Sequence, residues 1–214
     1  ETREVFKQKA RDTGSDLFYA DEVSEVNQFF DPTGNPLFKP ALQGPYQLEN
    51  YRTALAGFFL YCKITGLHPD HEKIKYALEH TASLTGIMGR WHFSKGVFDV
   101  LMDSAHNEDG IRFLCEWIRN QKYPRVHIVS GFVKDKSLDK ILNLLPRNAI
   151  YYFTQASIPR ALDCSELQRQ SRAVGLEGKA YKKVRNALAA AKRQAAEGEL
   201  VVVAGSIFVV AEVI

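Results

Sequence analysis

Three short runs constrain this chain more than any other feature: Val126–Ser130 (VHIVS), Ala149–Thr154 (AIYYFT) and Leu200–Ala204 (LVVVA). They are apolar on both faces, where a half-exposed strand would alternate apolar and polar residues. A strand of that kind has to be covered above and below. The stretches between them carry helical periodicity. Glu108–Asn120 puts Ile111, Leu114, Trp117 and Ile118 on one side, and Leu138–Leu145, Ser165–Val174 and the Ala-rich Tyr181–Ala196 follow. With the apolar run Val97–Met102 ahead of them, this alternation predicts an α/β fold: a Rossmann-like, mostly parallel sheet with helices on both faces. The chain then closes on Ile207–Ile214. Ile207, Val210, Ala211 and Ile214 keep helical steps and Ser206 stands at the N-cap position, so this segment is read as a helix.

Residues 1 to about 93 have a different texture. A Lys/Arg-rich amphipathic start with Val5, Phe6 and Ala10 leads to Asp16–Ala20, which reads as a short strand. Phe30–Phe38 (FDPTGNPLF) carries turn chemistry and reads as a hairpin tip. Leu48, Tyr51, Leu55, Phe58, Phe59 and Cys62 recur at three- and four-residue steps, which predicts a helix over Gln47–Ile64, stopped by Gly66. A second helix is expected over Pro69–Thr81.

Composition narrows the function. Twenty-eight Lys and Arg against 25 Asp and Glu give a net charge of +3, too small to argue for nucleic acid or an anionic membrane surface. No stretch reaches the ~18 apolar residues of a membrane span. Cys62, Cys115 and Cys164 form no C-x-x-C, which suggests neither a disulfide framework nor a cysteine zinc site and fits a reducing, cytoplasmic setting. His68, His71 and His80 lack a carboxylate or cysteine partner at ligand spacing, so no metal site is read there. Ser104 lacks the G-x-S-x-G setting of a nucleophile.

In open α/β sheets ligands collect beyond the carboxyl ends of the strands. Here those ends lead into Asp103–Asn107 (DSAHN), Gly131–Ser137, Thr154–Arg160 and Gly205–Ser206. The first of these is the most informative. A carboxylate ends an apolar strand, and a His and an Asn then open a helix, a place that suits a ribose hydroxyl or a phosphate. By spacing alone, Asp103 or Asn107 is equally well a helix cap.

That string resembles the D-x-A-H-N signature of the folylpolyglutamate synthase and dihydrofolate synthase family, the folate branch of the Mur-ligase superfamily. Other pieces fall in the same order. Leu42–Asn50 (LQGPYQLEN) is similar to the family's L-x-G-x-H-Q-x-x-N, and Gly89-Arg90 to the end of its W-P-G-R. Asp135-Lys136-Ser137 resembles its D-K-D, Thr154 with Pro159-Arg160-Ala161 its T-x(n)-P-R-A, and Gly205-Ser206 its terminal G-S. The chain departs from the pattern at Tyr46 (family His), Ile87-Met88 (Trp-Pro) and Ser137 (the second Asp of D-K-D).

The resemblance implies an ATP-dependent amide-forming ligase that adds L-glutamate to folate, and in the family's bifunctional members also to dihydropteroate, through an acyl phosphate, with ATP and Mg2+ as cofactors. No G-x-x-x-x-G-K-[ST] loop occurs in the sequence. On this reading residues 1–93 are the C-terminal part of the family's central ATPase domain and residues 94–214 its glutamate-ligase domain. The phosphate loop and the Mg2+ ligands would belong to an N-terminal part of the same polypeptide, and this chain alone is expected to be inactive. The resemblance further implies that Asn50, Arg90, Asp103 and His106 hold the nucleotide, Asn50 at the adenine, Arg90 at the triphosphate and Asp103 at the ribose. It makes His106 and Lys136 the catalytic candidates and directs Lys134 and Ser206 to glutamate or the folate tail. Three alternatives remain open from the sequence: a ligase of cell-wall precursors, a non-catalytic nucleotide- or folate-binding module, and a scaffold that kept only the fold.

Overall fold

The computed structural model describes residues 2–44, 46–134 and 138–214. The chain divides into two units, Glu1–Ala41 with Tyr46–Gly86, and Leu42–Pro45 with Ile87–Ile214.

The first unit is helical. It contains α1 (Thr2–Thr13), α2 (Gln47–Thr65), α3 (His71–Glu79) and α4 (Thr81–Thr85), with 3-10 turns at Ala20–Glu22 and Ser24–Phe29. Among the described residues it has no strand, so the strand expected over Asp16–Ala20 is irregular chain running into a 3-10 turn. Apolar composition alone does not make a strand where no neighbour offers a ladder. The turn at Asp31–Asn35 does form: Oδ1 of Asp31 accepts from the N–H groups of Thr33 and Asn35, and Phe30 bridges Pro36. Helix α2 ends as its sequence requires, on Gly66 with φ +70°. The single helix expected over Pro69–Thr81 is two. Asp70 caps α3 through the N–H groups of Glu72 and Lys73, and the break falls at His80. The core of this unit is aromatic, with Phe30 and Tyr51 both edge-on to Phe38, and Phe29 beside Phe59.

The second unit holds β1 (His92–Ser94), β2 (Asp99–Met102), α5 (Glu108–Asn120), β3 (Val126–Ser130), α6 (Asp139–Leu144), β4 (Ile150–Thr154), α7 (Cys164–Ala173), β5 (Gly178–Tyr181), α8 (Val184–Gln194), β6 (Leu200–Ala204) and α9 (Ile207–Ala211). The six strands lie in the order β1-β2-β6-β3-β4-β5. All neighbours are parallel except β1 with β2. Strand β6 lies between β2 and β3, and all five of its residues are buried. That position explains why LVVVA carries no polar alternation. Helix α8 lays Val184, Ala187, Leu188 and Ala191 over a layer that includes Val129, Tyr152, Val201 and Val203.

Two strands are absent from the sequence reading. Strand β1 is a three-residue edge hairpin arm. Strand β5 ends on Tyr181, the first residue of the helix expected over Tyr181–Ala196, and α8 covers Val184–Gln194 of that helix. Gly178 makes β5 possible, because any Cβ there would collide with the Tyr151 carbonyl.

At the amino ends of the strands lies a polar chain that runs from exposed Gln194 to buried His127 and Glu199. Tyr152 donates to Oε1 of Gln194, His127 lies 2.9 Å from the Tyr152 hydroxyl, and its other nitrogen lies 2.9 Å from Oε2 of Glu199. Burial pushes the Tyr152 hydroxyl up to about 12.

Candidate functional site

The parallel strands end on one edge of the sheet, where glycines bring their exits together. A Cβ at Gly131, just past β3, would lie 2.5 Å from the Thr154 carbonyl at the end of β4. Gly205, just past β6 with φ +108°, would place a Cβ 2.6 Å from the Gly131 carbonyl. Three neighbouring strand ends therefore meet backbone to backbone, which only glycine permits.

The turn after β2 is fixed on this edge by backbone bonds. Ser104 N–H donates to the Gly89 carbonyl at 3.0 Å, and Gly205 N–H donates to the Ala105 carbonyl at 2.8 Å. Asp103 is 1 % exposed. Its Oδ2 accepts from Trp91 N–H and its Oδ1 from Ala105 N–H, each at 2.8 Å. The carboxylate thus ties the segment before β1 to the turn after β2. The Asp103 of the sequence reading is in the structure a structural clamp, whatever else it touches. Asn107, the other cap candidate, caps α5 through Gly110 N–H.

His106 is exposed at this edge. Its Nδ1 lies 2.9 Å from the Ser104 carbonyl. A carbonyl only accepts, so Nδ1 carries the proton and a neutral His106 keeps its lone pair on Nε2. Arg90 is exposed and follows Gly89, whose backbone meets the Asp103–Ala105 turn. The structure therefore brings Arg90, Asp103 and His106 of the sequence reading to one edge.

Lys134 is exposed and lies on that edge too. Its N–H donates to the Arg160 carbonyl at 2.9 Å and Val133 bridges Ala161, so the P-R-A segment after β4 runs beside the segment after β3. Ser206 is buried and caps α9 through Phe208 N–H at 3.2 Å. Asn50 is an exposed residue of α2 in the other unit, where its Nδ2 donates to Gln47. Lys136, with Asp135 and Ser137, lies outside the described residues.

Trp91 is the residue the sequence reading misses. It is the one non-glycine residue with a left-handed backbone among those described, at φ +53°. Its N–H holds the Asp103 carboxylate and its indole is edge-on to Trp117 of α5, with ring centroids 5.3 Å apart. The signal available was a large aromatic directly after a glycine and an arginine, but a residue's φ cannot be read from its name.

Among the described residues no three His, Cys, Asp or Glu side chains converge as metal ligands. Cationic Arg90 and Lys134 with His106 on a strand-end edge suit an anionic nucleotide or carboxylate. No helix of the described residues is long and apolar enough to cross a membrane.

Residues 89–207 match the family described as Mur ligase, glutamate ligase domain. No curated protein matches the chain. Several solved structures share its fold. The bifunctional folylpolyglutamate synthase/dihydrofolate synthase of Yersinia pestis, complexed with AMPPNP and Mn ion, superposes with a TM-score of 0.72 at 23% identity, covering 98% of this chain and 49% of that one. Escherichia coli FolC in complex with DHPP and ADP gives 0.62 at 24%, covering 83% and 39%. The folylpolyglutamate synthase of Mycobacterium tuberculosis, complexed with ADP and AMPPCP, gives 0.63 at 21%, covering 80% and 40%. At these identities the likeness establishes the fold, and the chain spans less than half the length of each of these structures.

Proposed function

The chain belongs to the Mur ligase family through its glutamate ligase domain, and we propose that it is part of an ATP-dependent ligase that adds L-glutamate to folate. One observation supports the reading: the D-x-A-H-N turn and the arginine after Gly89 lie on one strand-end edge, tied by the Asp103 carboxylate and the Ser104–Gly89 bond. Residues 1–93 then form the C-terminal part of the central ATPase domain. The phosphate loop and the Mg2+ ligands lie in the remainder of the polypeptide.

In this reading ATP supplies the phosphoryl group that activates the substrate carboxylate. The chain's own residues bind and align. The Arg90 guanidinium offers a planar fork to phosphate oxygens. Asp103 orients the turn that presents His106 and, as the resemblance implies, meets the ribose. His106, with its proton on Nδ1, can accept a proton at Nε2 from an approaching amine. Lys134 and Lys136 provide positive charge for the carboxylates of glutamate or the folate tail, and Ser206 has a hydroxyl proton left to donate after capping α9. Asn50 serves the adenine.

The experiment is glutamate-dependent ATP turnover by the full-length protein, with folate, dihydropteroate and a cell-wall precursor as competing acceptors. Turnover with a pteridine acceptor and none with the cell-wall precursor is expected. The reverse pattern makes the protein a cell-wall ligase, and no glutamate-dependent turnover with any acceptor leaves a binding module. The 214-residue chain alone should hydrolyse no ATP, because it has no phosphate loop.

A further inference from the structure

A bulky residue with a left-handed backbone persists only where its surroundings over-determine it. Around Trp91 three contacts do so. Its N–H donates to the Asp103 carboxylate at 2.8 Å in a buried bond. Its indole packs edge-on against Trp117, which is also edge-on to Phe93. It also meets Gly44, where a Cβ would lie only 3.0 Å from the indole. Gly44 is the glycine of the L-x-G string, a motif whose purpose the sequence alone left unexplained.

The residue on the other side of Arg90 is confined as well. Gly89 has φ +72°, its carbonyl accepts from Ser104 N–H, and a Cβ there would lie 2.7 Å from Val210 of α9. Arg90 is exposed, yet it leaves a backbone fixed on both sides. An arginine on a free loop would lose backbone freedom on gripping an anion, and here that freedom is already gone.

We infer that Trp91 is a positioning residue: its left-handed backbone, clamped by Asp103 and packed on Gly44 and Trp117, sets the direction in which Arg90 reaches the nucleotide phosphates. This rests on the proposed role of Arg90. It assigns the L-x-G glycine, the second tryptophan and the buried carboxylate to one device.

The test is a double-mutant cycle in the full-length enzyme, read as kcat and KM for ATP and for glutamate. Trp91→Gly accepts the backbone angle but loses the packing. It should lower kcat/KM for ATP by about 100-fold, the cost of a small misplacement of a binding group, while KM for glutamate stays unchanged. In an Arg90→Ala background the same change should have less than about a twofold further effect, since a positioning residue has nothing left to position. Trp91→Phe should recover most of the activity. Should Trp91→Gly fail to fold, as thermal melting would reveal, Trp91→Leu is read by the same cycle. Multiplying effects in the double variant, or wild-type ATP kinetics for both Trp91→Gly and Trp91→Leu, would overturn the inference and leave Arg90's role standing. Wild-type kinetics for Arg90→Ala alone would remove the role of Arg90 itself, and with it this inference.

Discussion

The two units put their apolar residues to different use. In the sheet-bearing unit β6 is buried along its whole length, and no strand residue of β3 beyond Val126 or of β4 beyond Ile150 reaches the surface. In the helical unit α2 buries Tyr51, Leu55, Phe59 and Cys62 but leaves Phe58, Tyr61 and Ile64 exposed, Ile64 at 82 %. A central parallel strand has both faces covered, so every residue along it must fit. A helix needs only one apolar stripe, and the rest of its circumference is unconstrained. Burial on both faces is therefore a property of the second unit, which also carries Arg90, Asp103 and His106 on its strand-end edge.

The largest expected effect tests that difference directly. Leu200→Ala, at a fully buried position of β6, should cost about 2–5 kcal/mol in chemical denaturation, because it leaves a cavity between two covering layers. Ile64→Ser should change stability by no more than about 0.5 kcal/mol. A comparable loss at Ile64 would mean that this helix face is covered in solution and that the contrast is false.

A smaller effect is expected at glycines. Gly131→Ala forces a methyl to within 2.5 Å of the Thr154 carbonyl and should cost about 1–3 kcal/mol through backbone displacement. Gly66→Ala is the opposite case, a left-handed backbone with φ +70° and open space around it, and should cost only about 1 kcal/mol. A cost at Gly131 no greater than that at Gly66 would show that the close approach of strand exits does not require the glycine at 131.

The smallest effect is a pH dependence at the amino end of the sheet. The Glu199 carboxyl is held below its ordinary value of 4.5, first by the Ala196 N–H and then by His127. The unfolded chain therefore binds the proton more readily than the folded one. The contribution is complete above 4.5 and fades as pH falls through the lowered folded value. Glu199→Gln should flatten the acid limb of the stability curve below that point, measured by urea denaturation from pH 7 downward. An unaltered acid limb would mean that the Glu199 carboxylate, held by Ala196 and His127, adds nothing to this unit's stability.

The central strands were legible because burial on both faces leaves a compositional trace in five consecutive residues. VHIVS and LVVVA match β3 and β6 residue for residue, and Glu108–Asn120 matches α5. The edge strands were not legible. HFS and GKAY are short, half-exposed and carry no pattern, and each exists only because a neighbour supplies hydrogen bonds. The Asp16–Ala20 segment shows the converse: strand-like residues with no neighbour stay irregular.

At the candidate site the sequence named Arg90, Asp103 and His106 through a resemblance, and the strand-end rule put the turn of Asp103 and His106 at the carboxyl edge, but Arg90 reaches that edge through β1, which the sequence did not reveal. It could not say that Asp103 turns inward to hold Trp91 and Ala105, nor that a tryptophan adopts a glycine-like backbone angle. Periodicity and composition report on how much of each residue is covered, so the sequence by itself determined the layering of the second unit and the order of its central strands along the chain. Hydrogen-bond partners 12 residues apart, as for Trp91 and Asp103, and the fit of Gly44 to an indole come into being only when separate segments meet. They depend on distances in space that no local pattern encodes, and for that reason only the tertiary structure decided them.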